Sequence, residues 1–353
     1  MNELTKQQGP DALAHLNDIM IQAGQAANEA GARHVFEDHT ARKADNTIRR
    51  KIADLALFET FLQSAGVPAI GLYDNPQAWR GITWGIVEAF RNWQLQKGYA
   101  IGSINGRLST VRTYAKIAAR AGTISAEESI LIASVQGYAR KEAKHIDERR
   151  RGDGLNTRKG YKKAESVTIP EDIAQALKQQ PNTPQGRRDA LMICLLLDHG
   201  LRDSEIAILT RQAFDLKPGT FTFYRTKVDK TQTHTMSADT RRAATAYFKH
   251  DAPADGILWR RSNKGIGRLG GQLSETSATR TINKRVELLG RHAGIENLSP
   301  HDCRHYAATY EARKGTQLDR LIDMFGWNSP AMAMRYIEAA HIANEGTARV
   351  KPQ

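Results

Sequence analysis

Cysteine is almost missing from this chain: its 353 residues hold only Cys194 and Cys303. One lies in an apolar run and the other between two histidines. No disulfide framework is expected, and a reducing cytoplasm fits best. Long apolar stretches are missing too. None approaches the ~18–20 residues that a membrane span requires. The opening M-N-E-L-T-K-Q-Q-G-P-D has no basic patch leading into an apolar run, so no secretory leader is expected. A phosphate-cradling glycine loop and a cluster of metal-binding carboxylates are also lacking. Acidic residues are in deficit: 38 against 51 Lys and Arg, a net charge of +13. That surplus favours a polyanionic partner, nucleic acid ahead of membrane, over a merely solubilising basic surface.

What is present divides the chain. Residues 1–35 are rich in Ala, Gly and Gln, show no strand alternation, and read as a helix or a frayed tail. From residue 46, Ile48, Ile52, Leu55, Phe58, Phe61 and Leu62 recur at helical spacing. Trp84, Val87, Phe90 and Trp93 mark a second helix. A third, from Ser103 to near Gly122, carries Arg107, Arg112 and Lys116, and another follows Ser125. Residues 36–147 are therefore expected to form a helical bundle. Arg107, Arg112 and Lys116 are candidates for DNA contact, with an ordinary solvated face as the alternative. Residues 148–166 contain E-R-R-R-G-D-G-L-N-T-R-K-G-Y-K-K and read as a basic linker, with Arg149, Arg150 and Arg151 as candidate phosphate contacts. A second domain is expected over 167–345, with a tail at 346–353. It opens with a helix apolar on all sides, D-A-L-M-I-C-L-L-L-D-H-G-L. F-T-F-Y-R-T-K and T-H-T-M-S then form a strand hairpin around V-D-K-T-Q.

The stretch L-S-P-H-D-C-R-H at 298–305 first suggests a metal site. On a helix His301 and His305 share a face, but Cys303 lies about 200° from His301. No second ligand pair stands nearby, and H-x-x-x-H without an internal Glu is weak. A different reading joins His301 to Arg304, three residues on and on the same face. Pro300 suits a first helical position, so this pair sits near a positive helix end and can receive one phosphate. Arg202 follows the break at Gly200, with Glu205 three residues later to hold it. Further on, F-G-W-N-S-P-A-M-A-M-R-Y places Trp327 at a turn and Tyr336 on the helix that follows. Taken singly, a late helical Tyr is usually a core residue.

Taken together, G-L-R-D-S-E-I-A-I-L, H-D-C-R-H-Y-A-A-T and G-W-N-S-P-A-M-A-M-R-Y resemble, in order and spacing, the three boxes of the tyrosine recombinase (phage integrase) family, of the two-domain Cre or Xer kind. The resemblance covers about 167–340. It implies a mainly α fold: a helical, SAM-like core-binding domain and a mixed α+β catalytic domain with a small antiparallel sheet, closing as a clamp around DNA. It also implies that Arg202 and Arg304 clamp the scissile phosphate, that His301 is the second-box histidine, and that Trp327 stands where members carry His or Trp. Tyr336 matches the nucleophile and Glu205 the acidic helper. Lys227 matches the hairpin lysine and is favoured over Lys230. Cys303 and Phe325 stand where Leu is common, and Glu338 where a His often follows the nucleophile.

The activity so implied is conservative site-specific recombination through a 3′-phosphotyrosine and a Holliday junction, with no cofactor and no metal. The partners so implied are duplex DNA with inverted-repeat sites and a homotetramer on two such sites, with no membrane. An accessory directionality factor is left open. A bacterial cytoplasm is implied, at the nucleoid and on a phage-, plasmid- or other mobile-element background. Type IB topoisomerases and hairpin telomere resolvases use similar sites, and a non-catalytic DNA-binding regulator is the alternative from another class.

Overall fold

The computed structural model describes residues 10–68, 70–157, 159, 166–263 and 268–340. The chain divides into two compact units, residues 1–164 and 165–353.

The first unit is helical among its described residues: α1 (Pro10–Ala41), α2 (Asp45–Ser64), α3 (Trp84–Gln96), α4 (Ile101–Arg120), α5 (Ala126–Ser134) and α6 (Arg140–Gly152). Its core interleaves Phe36, Leu55, Phe58, Leu62, Val87, Phe90, Leu108, Val111 and Tyr114 around the buried Trp79. The helical spacing seen in the sequence thus becomes one apolar interior. Ile52 and Trp84 lie on the expected stripes yet stay exposed.

Two boundaries differ from expectation. Helix α1 runs unbroken through residue 35 to Ala41, where Val35 and Phe36 enter the core. Helix α6 carries the chain to Gly152, so the expected linker begins inside a helix. Glu142 caps the start of α6 by accepting from the Ala139 amide at 2.7 Å, and Asp147 pairs with Arg150 one turn on. These local carboxylates stabilise a helix in a run that its charge alone marks as unstructured. Residues 158 and 160–165 of the remaining linker, and the tail at 346–353, lie outside the described residues.

The second unit starts with α7 (Glu171–Lys178), α8 (Pro184–Leu197) and the short α9 (Asp203–Ala207). A three-stranded antiparallel sheet follows, in the order β1 (Phe214–Asp215), β2 (Thr220–Arg225), β3 (Lys230–Thr235). Then come α10 (Ala238–His250), the antiparallel pair β4 (Arg260–Ser262) and β5 (Leu269–Gln272), and four helices: α11 (Glu275–His292), α12 (Pro300–Arg313), α13 (Leu318–Phe325) and α14 (Pro330–Ala340). Residues Leu191–Leu197 of α8 are all buried and form the axis of this unit's core. A smaller cluster, with Ala307, Leu321, Phe325 and Ala333 at its centre, packs under Trp327 and Tyr336.

Candidate active site

The site is organised around the C-terminal end of α13. A helix leaves its last carbonyls without intrahelical partners and carries partial negative charge there. Side chains from three other elements take up this end. Gln232 of β3 donates to the Asp323 carbonyl at 2.6 Å. Arg225 of β2 donates to the Met324 carbonyl at 2.6 Å. Arg304 of α12 donates to the Phe325 carbonyl. Gly326 then turns the chain with φ +56°, in the left-handed region, and a Cβ there would sit 2.6 Å from Arg225 Cδ. Only glycine meets both demands. The turn delivers Trp327, whose ring stacks on Phe325 at 4.9 Å and on Tyr336 at 5.2 Å between centroids.

Arg202 precedes α9, and its backbone amide and guanidinium both bind Glu205, at 2.9 and 2.5 Å. Glu205 is 1% exposed and also receives Arg225 at 2.7 Å. Arg304 is 4% exposed. Its bonds go to the carbonyls of Gly200, at 2.5 Å, and Phe325, and to no carboxylate among the described residues. Burial, and then the positive charge of Arg202, depress the Arg304 guanidinium to about 9. Two guanidiniums therefore share the buried Glu205 and a third rests on carbonyls, which leaves an excess of positive charge at a partly open site.

Ser299 and Asp302 cap α12 reciprocally, and Asp302 also accepts from the Val167 amide at 2.9 Å. His301 and His305 project one turn apart, joined Nε2 to Nε2 at 3.0 Å. His305 Nδ1 meets the Tyr336 hydroxyl at 2.7 Å. Burial raises the Tyr336 hydroxyl above its usual range, while Arg304 and Arg335 pull it down. Tyr336 lines an open groove of about 660 Å³ with Tyr306, Tyr310 and Arg335.

Lys227 occupies the β2–β3 turn, which closes with Val228 N on the Arg225 carbonyl at 3.1 Å. Its side chain is exposed. Lys230 instead pairs with Asp323 at 2.7 Å. The hairpin thus leaves the Lys227 side chain exposed and turns Lys230 toward α13. Among the described residues no group of three or more His, Cys, Asp and Glu is placed to hold a metal. Cys303 is fully buried in the core.

The family model described as the phage integrase family matches residues 167–341. This half of the chain is a phage integrase family domain. A tyrosine recombinase XerC from Oceanobacillus iheyensis is 24% identical over 295 residues, covering 82% of this chain and 84% of its own. XerC from Bifidobacterium longum is 26% identical over 184 residues, half of each chain. The match thus spans only about half of that relative's length. The type 1 fimbriae regulatory protein FimE of Escherichia coli is 29% identical over 160 residues, 43% of this chain and 74% of FimE. In fold, a lambda integrase dimer bound to a core site aligns with TM-score 0.58 at 15% identity, covering 91% and 96% of the two chains. The Tn1549 transposon integrase with circular-intermediate DNA aligns with TM-score 0.58 at 14% identity, covering 86% and 94%.

The integrase domain gathers Arg202, Glu205, His301, Arg304, Trp327 and Tyr336 through the contacts above. Two residues of this site escape sequence reasoning. His305, rather than His301, touches the Tyr336 hydroxyl, and its place one turn beyond His301 was the available signal. Arg225 continues the inward-facing series Phe221, Phe223, Arg225 on β2, and an arginine in a core-facing strand position was the signal there.

The DNA-contact candidates of the first unit fare unevenly. Arg150 is 5% exposed and bound to Asp147, Tyr99 O and Asn156 O, so it is a structural arginine and not a surface phosphate contact. Arg107 lies over the Tyr99 ring at 4.4 Å and donates to Gln94 at 3.2 Å. Arg112 donates to the Val135 carbonyl. Lys116, Arg149 and Arg151 are exposed.

Proposed function

We propose that this chain is a site-specific DNA recombinase that cuts and rejoins duplex DNA through a covalent phosphotyrosine at Tyr336. The observation that carries this reading is the excess of guanidinium over buried carboxylate beside that tyrosine: Arg202 and Arg225 on the buried Glu205, and Arg304 on carbonyls. A buried cation facing only carbonyls is costly until an anion reaches it. A scissile phosphodiester is such an anion, and Arg202 and Arg304 would hold its non-bridging oxygens in their planar forks. The same forks stabilise the charge that builds up in a pentacoordinate transition state.

Tyr336 Oη attacks phosphorus and its proton passes to His305, with His301 behind it. The P–O5′ bond breaks, and the leaving oxygen takes a proton from Lys227. The products are a 3′-phosphotyrosine and a free 5′-hydroxyl. The ester bond energy is conserved, so a 5′-hydroxyl from a second duplex reverses the step and exchanges strands through a Holliday junction. The balance requires no nucleotide and no divalent metal. On this reading the helical first unit contributes to DNA binding, with Lys116, Arg149 and Arg151 as its phosphate contacts. The working assembly is a homotetramer on two inverted-repeat sites, inside a bacterial cell.

The test is Tyr336→Phe on a suicide duplex, nicked so that the cleaved end diffuses away. Cleavage sites would first be selected from a random library with the wild-type protein. The variant should bind DNA as before and form no covalent adduct. An adduct that survives the substitution sinks the assignment.

A further inference from the structure

We infer that Arg225 is a positioning residue for DNA cleavage, fixing the turn that carries Lys227 against the turn that seats Trp327 and Tyr336. The inference rests on the recombinase reading above. It adds a residue that touches neither the phosphate nor the nucleophile.

The argument begins with where Arg225 stands. Its backbone opens the hairpin turn: the Arg225 carbonyl accepts from Val228 N, which makes Lys227 the third residue of that turn. Its side chain runs the other way, into the interior, and is 0% exposed. There it meets three other elements, α9, α13 and β3. Nη1 binds Glu205 at 2.7 Å, Nη2 binds the Met324 carbonyl at 2.6 Å, and Nε binds Gln232 across the hairpin. The guanidinium also lies over the Phe223 ring at 4.7 Å. Its aliphatic stem fills the space that the missing Cβ of Gly326 leaves open.

One residue therefore joins the base of the Lys227 turn, the carboxylate that orients Arg202, and the carbonyl one residue before the Phe325–Gly326 bend. A proton donor must reach the leaving oxygen to within a hydrogen bond, and small displacements cost rate steeply. A two-stranded hairpin end has little stiffness of its own. Anchoring its last paired residue in the interior supplies that stiffness. Lysine could keep the charge beside Glu205, but a single ammonium cannot span Glu205, Gln232 and the Met324 carbonyl in one plane.

The experiment compares two duplexes at a selected cleavage site, one with the ordinary 5′ oxygen and one with a 5′-bridging sulfur. When the P–S bond breaks, the leaving thiolate needs no proton, because a thiol ionises near ~8.5 and an alcohol closer to water's ~15.7. Single-turnover adduct formation is measured for Arg225→Met, Arg225→Lys, Lys227→Ala and Tyr336→Phe. Arg225→Met should be slower than wild type by on the order of 10²-fold on the oxygen duplex, the scale of a lost general acid. On the sulfur duplex it should recover to within about threefold of wild type, as Lys227→Ala should. The Arg225→Met/Lys227→Ala double variant should be no slower than the slower single one. If Arg225→Met misfolds, Arg225→Lys gives the decision, with a smaller loss and the same selective recovery. Equal losses on both duplexes, or no loss on the oxygen duplex, overturn the inference. Failure of the recombinase reading looks different: wild type forms no adduct on either duplex, or Tyr336→Phe still forms one.

Discussion

Two buried arginines, one in each unit, show how similar burial can serve different ends. Arg150, in the helical unit, is 5% exposed and has the carboxylate of Asp147 at 3.0 Å as well as two carbonyls. Arg304, in the integrase domain, is 4% exposed and has carbonyls alone, with Arg202 and Arg225 as like-charged neighbours. A guanidinium neutralised on the spot closes a fold. One left with uncompensated charge beside an open groove is set up for an anion from outside. The contrast lies in partner chemistry and not in depth, and it separates residues that composition treats alike.

The largest way to break this comparison is to exchange the two outcomes. Arg304→Met should lower adduct formation by about 10²–10³-fold, the range for removing one donor to a developing oxyanion. Its effect on unfolding without DNA should stay within about 1 kcal/mol, because relief of repulsion from Arg202 and Arg225 offsets two lost carbonyl bonds. Arg150→Met should do the reverse, costing about 2–3 kcal/mol in urea unfolding while cleavage per folded molecule holds. Equal stability losses for the two would dissolve the distinction.

A smaller effect concerns acid. Burial depresses His199 from 6.5 to about 4, and the ring is 4% exposed beside Thr240 and Phe221. The unfolded chain binds the proton first, so stability is full above pH 6.5 and falls as pH drops through about 4. His234, lowered to about 3 by burial and then by His199, acts in the same direction, so His199→Gln should lessen the fall over that window by up to about 3 kcal/mol without abolishing it. A wild-type curve already flat there would refute the role. The helical unit holds one similar group, His39, lowered by burial and then by Lys51 and Lys43. A circular-dichroism titration of the whole chain should therefore report mainly the integrase domain.

The smallest effect sharpens the surface side of the comparison. Replacing Lys116, Arg149 and Arg151 together by Ala should reduce the salt dependence of DNA affinity, the slope changing by ~0.9 for each phosphate that is no longer neutralised. Arg112→Ala should leave that slope alone and loosen the first unit, since its guanidinium is bound to the Val135 carbonyl. Identical slopes for the triple variant and wild type would remove these side chains from the DNA path.

Much of this was legible in the sequence because the periods are strong. Leu55, Phe58 and Leu62 fall on one face of α2, Leu191–Leu197 are apolar all round, and β2 alternates inside and outside. The three boxes also placed Arg202, Arg304 and Tyr336 in one domain. The unread parts depend on partners far apart in the chain. Nothing local to Arg150 shows that Tyr99 O and Asn156 O await it. Nothing near Arg225 shows that its acceptor is Met324 O, 99 residues away. His305 was visible as a neighbour of His301, but which of the two meets Tyr336 depends on how α14 lies against α12. The charged run after residue 148 hid a helix, because charge density says nothing of a carboxylate spaced to pair one turn away.

The clasp on the end of α13 has one more consequence. Its three carbonyls are taken by side chains from β2, β3 and α12, elements widely separated along the chain. The Trp327 platform beneath Tyr336 is therefore braced from three parts of the chain, so its geometry draws on the folding of the whole domain. On the proposed chemistry, competence to cut DNA then tracks completed assembly of the domain.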